Sequence, residues 1–272
     1  MEFLQPPTWR EALEARAAHP EALPIWGGTD VMVELNFARK RPEALLDLTR
    51  VDELSRWNAQ DGWLKIGAGV SYSRVIAELG SDLPGLAIAS RTVGSPQIRN
   101  RGTIGGNLGS ASPAGDALPP LFAGGAEVEL ASSRGVRRVP VDDFVTGPKR
   151  NVLADDELIG AVWMPRASGP QQFAKVGTRN AMVIAVCSFA LDLGTGRTCI
   201  GSAGPRPLRA HEAEAFLAQQ DSLDDAAAAR FGELVASAAS PIDDVRGTAA
   251  YRRHALGVLA RRTLTWAWKE RG

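Results

Sequence analysis

Short apolar runs alternate with helix-forming segments between residues 23 and 165. Five runs predict strands: residues 45–48, 63–68, 126–130, 136–139 and 158–164. Three segments predict helices: residues 31–38, 72–79 and 117–124. Ser71 precedes the second of these helices, and its hydroxyl can accept a hydrogen bond from a first-turn amide. Helix follows strand repeatedly, which is typical of helices packed in layers on sheets.

The pattern changes after Pro165, and Gly169 and Pro170 mark a boundary. Three further runs predict successive antiparallel strands: residues 172–176, 183–193 and 198–203. Three helix-forming segments come next: residues 210–218, 224–239 and 248–269. The sequence therefore predicts an α+β fold in two parts.

Composition excludes several classes of function. Lysine plus arginine equals aspartate plus glutamate at 31 each, so no broad basic field exists to attract nucleic acid or anionic lipid. The sequence contains neither a secretory signal pattern nor 18 consecutive apolar residues, so we expect a cytoplasmic protein with no membrane span. Cys187 and Cys199 belong to no metal-ligand motif, the three histidines are scattered, and neither GxSxG nor HExxH occurs, so we expect no metal site and no catalytic side chain.

Two distant glycine-rich segments carry the candidate chemistry. The first glycine segment, residues 26–31, contains GGTD, and the second glycine segment, residues 103–107, is TIGGN. Glycine lets the main chain approach phosphate oxygens with no Cβ in the way and adopts φ > 0 freely. The sequence predicts two loops whose amides close on one diphosphate. Tight turns or bulges are the alternative, and Thr29 or Asp30 could also cap the helix over residues 31–38.

The same segments are similar to those of a known family. The block VGSPQIRNRGTIGGNLGSASPAGDALPPLFAGGAEVEL resembles the FAD-binding, or medium, subunit of the molybdenum hydroxylases, which include xanthine dehydrogenase and aerobic carbon monoxide dehydrogenase. LPIWGGTDVMVELNFARKRPEALLDLTRV, DELIGAVWMP, QFAKVGTRNAMVIAVCSFAL and PIDDVRGTAAYRRHALGVLARRTL also resemble the family, in order and over nearly the whole chain.

The resemblance implies a fold and a set of partners. It implies an FAD-binding domain of the PCMH/vanillyl-alcohol-oxidase type in two subdomains over residues 1–166, and a C-terminal domain over residues 167–272. It implies noncovalent FAD on this chain, with molybdopterin on a large subunit and [2Fe-2S] clusters on a small subunit. The implied role is electron transfer from those clusters to NAD or another external acceptor, within a dimer of heterotrimers.

The resemblance also implies the residues that contact FAD. These are Ile25, Trp26, Gly27, Gly28, Thr29, Asp30, Val31, Val93, Gly94, Thr103, Gly105, Gly106, Asn107, Leu108, Asp116, Ile159 and Lys175. Asp116 should accept from hydroxyl groups, since a carboxylate beside a diphosphate would be repelled. Lys175 near the flavin ring could stabilise the anionic reduced flavin.

Four of the charged residues also have purely structural explanations. Asp116 could cap the helix that follows it. Lys175 could be a solvated or snorkelling lysine on its strand. Arg99 and Arg101 could hold a loop or a partner subunit through carboxylates rather than clamp phosphate.

Two other functions remain open from the sequence. A standalone flavin oxidoreductase of the same wider fold, such as the cell-wall-precursor reductase type, would need no partner subunits. A non-catalytic scaffold subunit would keep the fold without the redox function. Copurification distinguishes the first, and flavin reduction by substrate in the reconstituted complex distinguishes the second.

Overall fold

The computed structural model describes residues 1–271. The strands are β1 (Glu2–Leu4), β2 (Leu23–Ile25), β3 (Ala44–Asp47), β4 (Trp57–Gln60), β5 (Trp63–Gly67), β6 (Glu127–Ser132), β7 (Gly135–Pro140), β8 (Val145–Gly147), β9 (Arg150–Asn151), β10 (Leu158–Pro165), β11 (Gln171–Val176), β12 (Cys187–Asp192) and β13 (Arg197–Gly201). The helices are α1 (Trp9–Ala18), α2 (Val31–Asn36), α3 (Tyr72–Glu78), α4 (Pro84–Thr92), α5 (Pro96–Arg101), α6 (Ile104–Ser110), α7 (Leu118–Ala123), α8 (Val141–Phe144), α9 (His211–Leu217), α10 (Asp225–Ala238) and α11 (Ala249–Glu270), with a 3-10 turn at Asp52–Ser55.

The first part of the chain contains two sheets. Strands β1, β3 and β2 form a small parallel sheet in that order, and α1 packs beside it. A five-stranded antiparallel sheet has the order β4-β5-β10-β6-β7, with helices α3 to α7 inserted in the chain between β5 and β6. Ser71 caps α3 as predicted, because its hydroxyl accepts from the Arg74 amide. The α+β class in two parts is confirmed.

The second part is an antiparallel meander covered by helices. Strands β11, β12 and β13 pair in chain order, and α9, α10 and α11 follow them. Every residue of β12 is buried, so this strand is covered on both faces. Phe189 and Leu191 face a core shared with α10 and α11, whereas Ala190 faces the core of the first part. The predicted three-stranded sheet and three helices are confirmed.

Three sequence predictions need correction. Residues 103–107 were expected to form a loop, but Thr103 is the N-cap of α6 and residues 104–107 form its first turn, because Ile104 and Leu108 lie one turn apart and both are fully buried. The strand expected over residues 183–193 starts only at Cys187. The helix expected over residues 31–38 ends at Asn36, and Ala38 has a left-handed φ of 53°.

Candidate functional site

The first glycine segment connects β2 to α2 and leaves main-chain donors free. Within the described residues, the amides of residues 27–30 donate to no protein acceptor. Gly28 has φ +73°, and a Cβ on Gly27 would overlap the Arg101 carbonyl group. Both positions therefore require glycine for local reasons. Asp30 precedes α2, but its side chain makes no capping bond, so the capping explanation for Asp30 is wrong.

The second glycine segment differs from the expected loop in two ways: it is helical, and its amides already donate to protein acceptors. Thr103 caps α6, accepting from the Gly106 amide at 2.9 Å. The Gly105 amide donates to the Ala68 carbonyl at 3.0 Å, and the Ile104 amide donates to the Val70 carbonyl at 3.3 Å. Gly105 is buried against Ala68, whereas Gly106 is exposed. The first-turn amides of α6 are therefore already occupied, and what this segment offers a ligand is the exposed surface at Gly106.

The first glycine segment contacts the residues on either side of the second glycine segment. The Ser110 hydroxyl donates to Asp30 Oδ2 at 2.5 Å, and Arg101 Nη2 donates to the Trp26 carbonyl at 3.4 Å. The Trp26 ring covers Gly69, where a Cβ would lie 2.7 Å from its Cε2 atom. The proximity of segments more than 70 residues apart in the chain, expected from the glycine pairs, is thus present in the structure.

Val93 and Gly94 form the turn after α4. Gly94 has φ +42°, and a Cβ there would lie 2.8 Å from Ile98 Cβ. Arg99 Nη1 donates to both the Val93 and the Gly94 carbonyls at 3.0 Å. Arg99 therefore holds this turn, as one of the sequence explanations proposed, although its acceptors are carbonyls rather than carboxylates.

Asp116 and Lys175 form a buried ion pair between the two parts of the fold. Lys175 Nζ donates to Asp116 Oδ2 at 2.6 Å, to the Thr92 carbonyl at 2.9 Å and to the Val183 carbonyl at 3.1 Å. The side chains of Lys175 and Asp116 are only 9% and 8% exposed. The explanation of Lys175 as a solvated lysine is wrong, and so is a capping role for Asp116, since Ala117 occupies the N-cap of α7. All three ammonium protons have protein acceptors.

The second oxygen of Asp116 has no partner. Asp116 Oδ1 is buried and accepts no hydrogen bond within residues 1–271, and the same holds for Asn107 Oδ1 on α6. Asn107 packs against Gly115, the residue before Asp116, because a Cβ on Gly115 would lie 2.7 Å from Asn107 Nδ2. Burial raises the pKa of the Asp116 carboxyl, and the Lys175 charge opposes this rise. An unsatisfied buried acceptor destabilises a fold, so both oxygens are suited to accept a hydrogen bond from a ligand.

Of the remaining residues predicted to contact a cofactor, some lie near the two glycine segments and others lie in the core. Ile159 on β10 lies beside α6, and a Cβ on Gly109 would be 3.8 Å from its Cδ1 atom. Ile25 lies next to Gly28. The Leu108 side chain is fully buried in the core, so only its main chain could face a ligand.

Sequence reasoning missed four residues of the region. Gly69 accommodates Trp26, Gly115 accommodates Asn107, Thr92 accepts from Lys175, and Ser110 bonds Asp30. The glycines of GAGV and PAGD were visible signals of close packing. Nothing in the sequence marks the Thr92 carbonyl, because that contact depends on the approach of β11 to α4.

We also searched the described residues for metal ligands, membrane-spanning helices and activated thiols. Residues 1–271 contain no cluster of three or more potential metal ligands. Their helices include none that is both long enough and apolar enough to cross a bilayer. Burial raises the pKa of the Cys187 thiol to about 12 and that of the Cys199 thiol well above its usual range, so neither thiol is activated.

Family models match both parts of the chain. Residues 1–167 match the FAD binding domain in molybdopterin dehydrogenase, and residues 172–267 match the CO dehydrogenase flavoprotein C-terminal domain. The chain therefore belongs to the family of FAD-binding subunits of molybdopterin-dependent dehydrogenases.

Individual relatives agree with this membership. The chain is 30% identical to the xanthine dehydrogenase FAD-binding subunit of Escherichia coli O157:H7, over 96% of this chain and 93% of that protein. It is 29% identical to the nicotine 6-hydroxylase medium subunit of Paenarthrobacter nicotinovorans, over 97% of this chain and 96% of that protein. Its fold is similar to a chain of carbon monoxide dehydrogenase from Hydrogenophaga pseudoflava, with a TM-score of 0.93, 27% identity and coverage of 100% and 98%.

Proposed function

We propose that this chain holds one noncovalent FAD between the two glycine segments and the Asp116–Lys175 pair, as the electron-transfer subunit of a molybdenum hydroxylase. The observation that carries the proposal is the run of four amides at residues 27–30 that donate to no acceptor among the described residues, close to the start of α6, where Gly106 is exposed. Free amides are suited to phosphate oxygens, and FAD contains a diphosphate. When bound, FAD would supply the exchange between single-electron and two-electron transfer that such a subunit needs.

The chain's residues divide the binding task. The amides of residues 27–30 would bind the diphosphate, and the Thr103 hydroxyl, which accepts from Gly106, keeps its own proton free to donate. Asp116 Oδ1 and Asn107 Oδ1 would accept from hydroxyl or imide donors of the cofactor. Val93, Gly94 and Ile159 would border it with apolar surface. Residues 1–166 supply all of these groups, and residues 167–272 supply Lys175.

The same proposal implies partner subunits and a cellular compartment. The relatives are named as medium or FAD-binding subunits, and the described residues hold no cluster of metal ligands, so the hydroxylation would occur on other polypeptides. We infer a large molybdopterin subunit and a small [2Fe-2S] subunit in a dimer of heterotrimers, with NAD or another acceptor. Two buried, unpaired cysteines are consistent with the cytoplasm.

Titration of FAD into the full-length chain tests the proposal. We expect about one FAD per chain, detected by quenching of flavin fluorescence and by comigration of flavin with the protein. Gly106→Val should abolish binding, because its side chain would cover the exposed surface of α6 that the proposal assigns to the cofactor. Gly257→Ala on α11 is the control, since a methyl there has no contact closer than 3.4 Å. A folded wild-type chain that binds no FAD, or a Gly106→Val variant with unchanged flavin content, would contradict the proposal.

A further inference from the structure

Helix α11 packs one side against the core and exposes the other. Leu256 and Leu264 are fully buried in the core that α11 shares with β12 and α10. Val258, Arg262 and Trp266 follow one another at intervals of four residues, so they lie together on a different side of the helix. All three are exposed, and the Trp266 residue is 46% exposed. These three residues define what we call the outer face of α11.

An open groove of about 490 Å³ lies on this outer face. Its lining also includes Arg261 and Thr265 of α11 and Asp225 at the start of α10. Asp225 Oδ1 lies 3.6 Å from Arg261 Nη2, but the two side chains are 100% and 51% exposed, so their attraction is weak. The groove therefore joins the apolar surface of Val258 and Trp266 to accessible guanidinium groups.

The charge of α11 is almost entirely positive. Residues 249–270 contain five lysine or arginine residues and a single acid, Glu270, in a chain whose formal net charge is zero. Glu270 lies at the last position of the helix and accepts from Gln172 Nε2 at 2.7 Å. Arg262 pairs with no carboxylate of residues 1–271. A local positive surface of this kind attracts and orients a negatively charged partner.

The residue types in the groove are those of a protein-binding surface. Tryptophan and arginine are enriched at the centres of protein interfaces, where they account for much of the binding energy. Val258 and Trp266 are separated by about 12 Å along the helix, at about 1.5 Å per residue. That length accommodates one helix or one extended segment, rather than the face of roughly 800 Å² that a whole domain usually buries.

We propose that the outer face of α11 binds an acidic segment of a partner polypeptide. Carboxylates of the segment would pair with Arg261 and Arg262, and an apolar side chain would pack between Val258 and Trp266. The zero net charge of the chain disfavours nucleic acid as the occupant. None of these residues belongs to the site that we assign to FAD, so the inference does not depend on bound flavin.

Site-specific photocrosslinking identifies the occupant in cells that make the natural protein. Benzoylphenylalanine in place of Trp266 keeps an aromatic ring in the groove, and we expect it to crosslink to a partner segment that mass spectrometry shows to be acidic. The same replacement at Arg253 is the control. Arg253 is exposed and lies halfway around the helix from Arg262, so it should give no such crosslink.

Three results of this experiment would overturn the inference. They are the absence of a crosslink from position 266, a crosslink to a second copy of this chain, and a crosslinked segment with no net negative charge.

Binding of the mapped segment, as a synthetic peptide, to the full-length chain measures the contribution of charge. Arg262→Glu should weaken binding about 10-fold or more at low salt, because it places a carboxylate against carboxylates, and the difference should shrink as salt is added. Arg253→Glu makes the same charge change and should bind within about twofold of the wild type. Equal affinities for these two variants would overturn the inference. Trp266→Ala should weaken binding about 10- to 30-fold.

Urea unfolding and FAD titration of the same variants provide independent controls. Arg253, Arg262 and Trp266 are exposed, so each variant should keep the wild-type urea midpoint and the wild-type FAD affinity. A wild-type chain that binds the acidic segment but no FAD would contradict the proposed function and support this inference. A chain that binds FAD but not the segment would do the reverse, so the two failures are distinguishable.

Discussion

Adjacent glycines on α6 should respond in opposite ways to the same added methyl group. In Gly105→Ala the new Cβ would lie 2.6 Å from the Ala68 carbonyl oxygen and closer still to Ala68 Cβ. In Gly106→Ala its nearest neighbour is Thr103 Oγ1 at 3.0 Å, and the position is exposed. The two variants therefore share a helix, a turn and a substitution but differ in what the methyl meets.

The structure sets the magnitude of the difference. Forcing a methyl group against main chain in a packed core costs about 3 kcal/mol, at the upper end of the usual range. Moving α6 away from Ala68, which directly follows β5, would also weaken the bond from the Gly105 amide to the Ala68 carbonyl, worth about 1 kcal/mol. Better helix propensity offsets about 1 kcal/mol in both variants. We expect Gly105→Ala to lose about 3 kcal/mol and Gly106→Ala to stay within about 1 kcal/mol of the wild type.

Urea unfolding followed by tryptophan fluorescence measures this difference, and FAD titration of the same samples completes the test. The midpoint for Gly105→Ala should fall by about 1 M or more, given the usual dependence of stability on urea. Gly106→Ala should instead keep its midpoint and bind FAD more weakly. Equal midpoints for the two variants would refute the assignment of Gly105 to packing. Unchanged FAD affinity in Gly106→Ala would refute close approach at Gly106.

Three further predictions concern the rest of the chain. Burial raises the pKa of Glu214, but hydrogen bonds from Arg209 and Thr198 outweigh it and the net pKa is lowered, so stability should fall as pH drops from about 5 to about 3; urea unfolding at these two pH values should show a smaller fall for Glu214→Gln than for the wild type. Cys187 and Cys199 should not react with a thiol reagent in the native protein and should react in urea; rapid native labelling would contradict their burial. Phe231→Ala should destabilise the second part by about 3–5 kcal/mol, since its side chain is fully buried, and a smaller loss in urea unfolding would show that the site collapses.

Hydrophobic periodicity and turn residues predicted most of the fold, because both depend only on residues that are close together in the chain. The meander over β11 to β13 and its three helices follow from runs and glycine turns in the sequence. Helix α6 could not be predicted this way, since GG within seven residues disfavours a helix. It forms because Ile104 and Leu108 pack into a core built by distant strands. Strand β1 was missed for the same reason, since its partner β3 is remote in the chain.

The candidate site shows the same division. The glycine pairs correctly predicted that the two segments lie close together. They did not reveal that the amides of the first segment stay free while those of the second already donate to protein acceptors. That distinction depends on Ala68 and Val70, which the sequence gave no reason to connect with α6. The pairing of Asp116 with Lys175, 59 residues later, likewise requires the two parts of the fold to be packed together.

The boundary near residue 166 divides the chain but not the core. Phe173, Ala190 and Cys199 from the second part are buried in one cluster with Leu118 and Phe122 of α7. Without residues 167–272, α4 and α7 would lose the sheet that covers them, and Asp116 would lose its charged partner Lys175. The second part therefore contributes to the candidate site chiefly by fixing α4 and α7, and the position of Lys175 at that junction follows from the packing of β11 against α4. The Asp116 carboxylate in the candidate site is therefore held from across a shared core, because its hydrogen bonds come from Thr92 of α4 in the first part of the fold and from Lys175 of β11 in the second.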